Sequence, residues 1–199
     1  MNQRKMFEIV RRGMSHKYLG KTLPGDLTQR GQVNLSHRLV CGWLKFSNLS
    51  HTLLNKKLAV GRRLKLFDVS VSTTVLYSLS TTPLTISQLE RLDAVQRKML
   101  RKIVGWIRHD EEEWKTTGHR MKERLESALR KQRVRPWSER VSEQKSKLVR
   151  KMHDMASPSI CRQAFAWEPR NTHNFFRDGT VPSRSVGRPR QRWFEQCLA

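Results

Sequence analysis

The sequence predicts a mainly α protein with a small β-turn element, a three-helix bundle, basic linker helices and a disordered tail. Apolar residues recur at helical spacing in three consecutive segments, with proline and glycine between them. The composition then changes, because residues 169–191 are rich in Arg, Asn, Ser, Pro and Gly. We therefore divide the chain into the β-turn element (1–25), the bundle (26–109), the linker helices (110–156) and a largely disordered Arg-rich tail (157–199).

The N-terminal element contains two stretches with strand or turn character. Residues 6–12, MFEIVRR, predict a short strand. The following HKYLGKTLPGD contains the turn formers Gly20, Pro24 and Gly25, which predict a β-hairpin or a strand followed by a turn.

Two amphipathic helices are predicted after this element. The first, between Gln32 and Leu49, has an apolar stripe at helical spacing: Leu35, Leu39, Trp43 and Phe46. The stripe of the second helix continues through the β-branched run VSVSTTV: Leu64, Phe67, Val71 and Val75. Propensity alone would favour a strand in that run, but the spacing favours a helix.

The third helix has both a start signal and a stop signal. Pro83 ends the preceding helix, and Thr85 and Gln88 have the spacing of a capping box. Gly105 is the predicted stop. One broad face is apolar: Leu89, Leu92, Val95, Met99, Leu100 and Ile103. The opposite face gathers basic residues: Arg91, Arg97, Lys98, Arg101 and Lys102.

Two further helices are predicted in the linker segment. The run RHDEEEW would place acidic residues in the first turn of one helix, where they complement its dipole. Its apolar residues continue at helical spacing: Met121, Leu125 and Leu129. Pro136 interrupts the pattern, and Ser138 could cap the next helix. One side of that helix would be apolar: Val141, Leu148, Met152 and Met155.

The composition is strongly basic, with 40 Lys and Arg against 17 Asp and Glu and a net charge of +23. Such a charge repels itself in a compact chain, so a polyanionic partner is expected, and nucleic acid fits best because phosphate contacts dominate its affinity. Cys41, Cys161 and Cys197 are far apart, and neither a secretory signal nor a long apolar run is present. We expect an intracellular protein with no membrane partner, and the nucleus is one candidate compartment.

No catalytic constellation is recognisable in the sequence. No two Asp residues are adjacent, and the acidic run at 110–113 is better explained as a helix start than as a metal site. Walker-type glycine loops, CxxC motifs and HExxH motifs do not occur. Cys161, His173 and Cys197 match no common zinc spacing. We therefore predict no catalytic residue, no metal site and no cofactor.

Nucleic-acid contact is the chemistry that the residue types favour. In the KYLGK turn, Lys17 offers a charge, Tyr18 a stacking face and Gly20 a close backbone approach. A Tyr18 side chain packed in the core is an equally good interpretation. The basic face of the third helix could follow a phosphate backbone, or it could only keep the helix solvated. Arg62 and Arg63, before the second stripe, are further candidates.

The C-terminal stretch GRPRQRW adds Arg188, Arg190 and Arg192 to the candidates. A minor-groove hook places Arg on both sides of a flat Gly turn. Here Val186 precedes Gly187, so half of such a clamp is missing. We do not expect this stretch to act as an independent hook.

The order of these motifs resembles the C-terminal part of a non-LTR (LINE-like) retrotransposon reverse transcriptase. YLGKTL is followed by a helical pair, then by RLKLFDVSVSTTVLYSLSTTPLTISQLERLDAVQRKMLRKIVGW and finally by GRPRQRW. The match covers most of residues 15–108 and returns at 187–193. In that family a YLG turn forms the primer grip at the edge of the palm, a helical thumb follows, and a basic linker contains GRPR. Ser78 stands where the family usually has Gly.

The resemblance implies that residues 1–25 are a palm-edge and primer-grip remnant and that residues 26–109 form a thumb-like bundle. The metal-binding aspartates of the family's palm have no counterpart in this chain. The resemblance therefore implies the ancestry of a polymerase, and we expect no polymerase activity from this chain. The expected function is binding of RNA or DNA through phosphate contacts.

Three alternatives remain open at this point. The chain could be a truncated piece of a longer, active reverse transcriptase. It could be a translated remnant without a function. It could also be a host DNA-binding protein built around the Arg-rich tail.

Overall fold

The computed structural model describes residues 14–156 and 158–166. Helices dominate these residues, and a two-stranded antiparallel sheet precedes them. The predicted fold class, mainly α with a small N-terminal β element, is confirmed. The strand predicted at 6–12 and the disorder predicted at 169–191 lie outside the described residues.

The β element is a hairpin. Strand β1 (Ser15–Tyr18) pairs with β2 (Lys21–Pro24), and Tyr18 lies opposite Lys21 at the closed end. The connection is therefore only two residues long, and of the two predicted alternatives the hairpin is the one observed. A short 3-10 turn (Leu27–Gln29) then leads into the first helix.

Eight α-helices follow within the described residues: α1 (Arg30–Asn48), α2 (Ser50–Leu53), α3 (Val60–Phe67), α4 (Thr73–Leu76), α5 (Ile86–Val104), α6 (Trp114–Gln132), α7 (Trp137–His153) and α8 (Ile160–Ala166). A π turn (Asp68–Ser72) joins α3 to α4, and a 3-10 turn (Leu79–Thr81) follows α4. The β-branched run is therefore helical, as its spacing predicted, although one turn is wider than an α-helix.

The core consists mainly of the stripes that the spacing predicted. The buried stripe residues come from α1, from the stretch that runs from α3 through the π turn to α4, and from α5: Leu35, Leu39, Phe46, Leu64, Phe67, Val71, Val75, Leu92, Met99, Leu100 and Ile103. Trp43, Leu89 and Val95 are only partly buried and pack at the edge of this core. Each fully buried large side chain contributes about 1.5–3 kcal/mol.

Close packing between helices fixes the bundle. A Cβ at Gly42 of α1 would lie 2.3 Å from Val75 of α4, so only glycine permits this approach. Gln88 at the start of α5 donates to Gln32 at the start of α1 over 3.4 Å. Helices α1 and α5 therefore begin at the same end of the bundle.

The core also extends into the segment predicted as linker helices. Trp137, at the start of α7, is fully buried and stacks on Phe67 with ring centroids 5.9 Å apart. Its indole N–H donates to the Ser72 hydroxyl over 2.9 Å in the π turn. Leu125 of α6 and Val141 of α7 belong to the same core.

Of three predicted helix boundaries, one is confirmed and two are wrong. The Thr85–Gln88 capping box is confirmed, with both of its reciprocal hydrogen bonds present. The acidic first turn is wrong, because residues 110–113 precede α6 and its first turn contains no acid. The Ser138 cap is also wrong, because Ser138 lies inside α7.

Side chains from α5 cap α7 instead. The Asp93 carboxylate accepts the Ser138 N–H over 2.9 Å and also accepts its hydroxyl. Gln96 accepts the Trp137 N–H over 2.9 Å. The unpaired amides that open α7 are therefore satisfied by α5, a tertiary contact that local sequence does not reveal.

The chain divides into two units, residues 1–142 and residues 143–199. In the second unit, Arg162 of α8 donates to the main-chain carbonyls of His153 and Met155. This bond pair fixes the turn between the end of α7 and α8. Helix α8 lies within the segment predicted as the tail, whose residues 167–199 are outside the described part of the chain.

Candidate nucleic-acid interface

The solvent side of α5 carries a row of cations, termed here the α5 basic face: Arg91, Arg97, Lys98, Arg101 and Lys102. All of them are exposed, opposite the buried Leu92, Met99 and Ile103. From Arg91 to Lys102 the helix rises about 16 Å, the axial length of about five phosphates on one B-DNA strand. The face is therefore long enough to contact several consecutive phosphates.

Most of the α5 basic face has no partner within the part of the chain that the structure describes. Lys102 lies 5.7 Å over the Trp43 ring. The other four cations make no ion pair or hydrogen bond among the described residues. Asp93, an acid of the same helix, is occupied by Ser138, which leaves Glu90 as the exposed acid of α5. The face therefore keeps a positive potential that a polyanion could neutralise.

The hairpin turn, Leu19 and Gly20, is held in an unusual backbone conformation. Leu19 has φ +46° and Gly20 has φ +74°. Glycine adopts such values freely, but a left-handed leucine costs about 1–2 kcal/mol. The Tyr77 hydroxyl donates to the Leu19 carbonyl over 3.2 Å, and Arg38 donates to the Gly20 carbonyl. These two bonds hold the strained turn in place.

A buried asparagine fixes the hairpin on α1. Asn34 accepts the Thr22 N–H over 3.0 Å and donates to the Thr22 carbonyl over 2.7 Å, as a neighbouring strand would. Lys21 also donates to the Thr81 hydroxyl. The side chains that project from the turn therefore have a defined position relative to α1.

The two side chains before the turn are open to solvent. Lys17 is exposed, and the Tyr18 side chain is 60% exposed. The alternative that packed Tyr18 in the core is therefore wrong, and its ring is accessible to a stacking partner. Partial burial, together with the charges of Arg38 and Lys17, lowers the pKa of His37 below its usual value. Cations are thus crowded around the hairpin.

Arg38 is a residue at this site that sequence reasoning missed. It is 8% exposed, its guanidinium lies 4.5 Å from the Tyr77 ring centroid, and its Nε has no hydrogen-bond partner among residues 14–156 and 158–166. With Gly20 and Tyr77 it lines a shallow cavity of about 390 Å³. The sequence did contain a signal for its burial, because Arg38 lies between Leu35 and Leu39 on the buried stripe of α1.

The adjacent candidates Arg62 and Arg63 have different environments. Arg62 is exposed, as a phosphate contact requires. Arg63 is 5% exposed and donates to the main-chain carbonyls of Leu53, Leu58 and Ile103. Its assignment to the binding surface is therefore wrong, because its donors are committed to the connection between α2, α3 and α5.

The acidic run at 110–113 closes a loop instead of opening a helix. Arg120 donates to both carboxylate oxygens of Glu112, over 2.8 and 2.6 Å, and to the Ile107 carbonyl over 2.8 Å. The Thr117 hydroxyl donates to the same carboxylate over 2.8 Å. The hydrogen bonds from Arg120, above all, lower the pKa of Glu112 to about 2. Glu112 therefore acts as an anionic anchor for the loop that follows α5.

The remaining candidates are distributed as follows. Arg188, Arg190 and Arg192 lie outside the described residues, as do His173 and Cys197.

Over the described ranges, no three His, Cys, Asp or Glu side chains are grouped closely enough to hold a metal ion. Within the same ranges, no helix combines the length and the apolar character needed to cross a membrane.

Comparison of the chain with protein-family models, with curated proteins and with solved structures gave no match. The resemblance to retrotransposon reverse transcriptases therefore stays a prediction that depends on the motifs.

Proposed function

We propose that this chain is a nucleic-acid-binding fragment related to the thumb region of non-LTR retrotransposon reverse transcriptases. It holds RNA or DNA through phosphate contacts and has no polymerase chemistry of its own. The α5 basic face is the main contact surface, and the hairpin turn is the second. An intracellular compartment, with the nucleus as a candidate, is where it would meet such a ligand.

The observation that carries this proposal is a row of cations along α5 that have no partner among the described residues: Arg91, Arg97, Lys98 and Arg101. A face that serves only solvation usually intersperses both signs of charge. Here Asp93 is used to cap α7, so Glu90 is the one exposed acid that α5 sets against its five exposed cations. The arrangement suits a ligand with regularly spaced negative charges, which is what a phosphate backbone provides.

The hairpin turn supports the same function. Lys17 and Tyr18 are consecutive exposed residues of β1, so they present a charge and a stacking ring on opposite faces of the hairpin, and both are open to a nucleic-acid strand. The left-handed Leu19 is a strained residue next to them. Positive φ at both turn residues is what a two-residue hairpin requires, so this conformation fixes where Lys17 and Tyr18 lie at the tip of the hairpin.

A backbone property supports the proposed ancestry. Ser78 has φ +61°, a left-handed conformation that favours glycine. The family usually has glycine at this position. The following residues accommodate the turn, because the Thr81 and Thr82 hydroxyls both donate to the Ser78 carbonyl, over 3.1 and 3.0 Å.

The test replaces four cations of the α5 basic face with glutamine in the full chain: Arg97, Lys98, Arg101 and Lys102. Binding to a labelled DNA duplex and to an RNA–DNA hybrid is measured by fluorescence anisotropy over a series of salt concentrations. Each lost phosphate contact removes about 0.9 from the magnitude of the log–log salt slope, so the slope should flatten by roughly 2–4 units. Circular dichroism should barely change, because glutamine is a good helix former.

The matched control removes the same amount of charge elsewhere, by glutamine substitution of exposed cations outside this surface: Lys56, Lys115, Arg130 and Lys131. The control should retain most of the salt slope. Equal slopes for the two variants would show that binding follows net charge and would contradict the α5 assignment. Absence of binding by the unmodified chain would contradict the function itself. Extension of a primed RNA template above a no-protein control would contradict the absence of polymerase chemistry.

A further inference from the structure

A cavity of about 260 Å³ lies between the end of α5 and helix α6. Its apolar lining is nearly buried: Val104, Met121 and Leu125. Trp106 and Gly118 also line it. Pockets for drug-sized ligands have volumes of about 300–1,000 Å³, so this one suits a smaller group, such as a single flat ring system.

Exposed aromatic surface borders the cavity on the side of Trp106. The Trp106 side chain is 51% exposed and the neighbouring Trp114 side chain is 65% exposed, with ring centroids 5.5 Å apart. Two adjacent indoles that remain in water form an apolar patch, and patches of this kind mark binding sites. A planar aromatic ligand would bury this surface by stacking.

Gly118 keeps the cavity open. It lies in the interior of α6, where glycine is a poor helix former, and a Cβ at this position would meet no atom of the described residues within 4 Å. No packing contact therefore requires glycine there. What the missing side chain provides is free space beside Met121 and Lys122.

Two cations complete the lining, Arg101 and Lys122, and none of the described carboxylates belongs to it. A neutral apolar ligand would gain nothing from these charges. A nucleotide has the required combination, since its base is flat and aromatic and its phosphate is anionic. Arg101 also belongs to the α5 basic face, so a strand that follows this face reaches the cavity at the end of the helix.

We propose that this cavity receives one unpaired base of a single-stranded nucleic acid. The base stacks on Trp106, and its flanking phosphate contacts Arg101 and Lys122. Bases inside a duplex are paired and stacked, so they do not enter without being extruded. This inference rests on the proposed function and adds to it a preference for single-stranded segments or ends.

The experiment compares a labelled single-stranded oligonucleotide with a blunt-ended duplex of the same sequence, using the full chain. Two variants remove the site in different ways: Trp106→Ala removes the stacking surface, and Gly118→Leu fills the cavity. Each should weaken single-strand binding by about 5- to 150-fold, the range expected when stacking of one base on an aromatic ring is lost. Duplex affinity should change much less. Trp106→Phe should restore part of the loss because it keeps an aromatic plane.

The control is Ile86→Ala, which removes another highly exposed apolar side chain at the opposite end of α5 and should leave single-strand binding unchanged. Equal losses for single strand and duplex, or no loss in either variant, would overturn the inference while the α5 assignment could still stand. Failure of the unmodified chain to bind either probe would refute the proposed function as well. Loss of self-association in Trp106→Ala, with strand binding intact, would show that a second copy occupies the cavity and would also overturn the inference.

Discussion

The exposed face of α5 and the buried arginine sites of α1 and α3 use positive charge in opposite ways. On α5, Arg97 and Arg101 project into solvent without a partner among the described residues. On α1 and α3, Arg38 and Arg63 are more than nine-tenths buried and donate to main-chain carbonyls. The first group is free to bind a ligand, and the second group connects parts of the fold.

An arginine that lies on the apolar stripe of a helix is buried and structural, whereas one beside the stripe stays exposed. Arg63 is four residues before Phe67, so it lies on the buried side of α3, while Arg62 does not. Burial lowers the pKa of Arg63, and the nearby charge of Arg124 adds to this shift. The guanidinium nevertheless stays charged, because its ordinary pKa is far above physiological pH. The net charge of +23 therefore overstates the charge that is available to a ligand.

The largest expected change in the free energy of unfolding distinguishes the adjacent residues Arg62 and Arg63 of α3. Arg63→Met keeps an apolar stem but leaves three carbonyls without their donor, so we expect a loss of about 2–4 kcal/mol in the free energy of unfolding. Arg62→Met should change it by less than about 0.5 kcal/mol, as is usual for an exposed position. Urea unfolding of both variants measures the difference. Similar stability losses would break the distinction between a structural and a free arginine.

Much of the fold could be predicted because it follows from local periodicity. The stripes that contain Leu35, Phe67 and Met99, together with the Thr85 capping box, needed only residue spacing and known helix signals. The exposed basic side of α5 followed from the same periodicity, since residues opposite a buried stripe face solvent. Whether this side binds nucleic acid stays a prediction.

What could not be predicted depends on tertiary contacts. Trp137 joins the core through Phe67 and Ser72, which are far from it in sequence. Ser138 resembles a helix cap, but Asp93 of another helix takes that role. The acidic run resembles a helix start until Arg120 binds Glu112. For Ser138 and the acidic run, a local signal was outweighed by a partner that only the folded chain brings near.

A medium effect is expected at the turn that follows α4. Ser78 has a left-handed backbone conformation. The preceding Tyr77 packs its ring against the Arg38 guanidinium and donates its hydroxyl hydrogen to the Leu19 carbonyl. Ser78→Gly should therefore stabilise the protein by about 1 kcal/mol, because glycine removes the steric penalty of this conformation. Ser78→Val should destabilise it, since a β-branched residue tolerates positive φ poorly. Thermal unfolding of both variants tests this. A loss of stability in Ser78→Gly would contradict the backbone argument and weaken the proposed relation to the family.

The smallest expected change in stability concerns Arg120, a cation that is paired with Glu112 and only partly buried. Its side chain is 33% exposed and its partner Glu112 is 12% exposed, so solvent partly screens their attraction. The pKa of Glu112 is lowered from 4.5 to about 2, so the pair stabilises the folded state fully above pH 4.5. That contribution should disappear as the pH falls from 4.5 to about 2, because the carboxylate then becomes protonated.

The measurement compares the urea midpoints of the unmodified chain and of Glu112→Gln across this pH range. Glutamine does not titrate, so the midpoints should differ at neutral pH and converge as the pH approaches 2. Glu113→Gln is the matched control, because it removes the same charge from the same acidic run at a position whose side chain caps nothing. A pH-independent difference for Glu112→Gln would mean that the carboxylate acts through its shape and not through its charge. If the ion pair also holds the loop that carries Trp106, Glu112→Gln should weaken single-strand binding more than duplex binding, since Arg120 joins Glu112 to the Ile107 carbonyl.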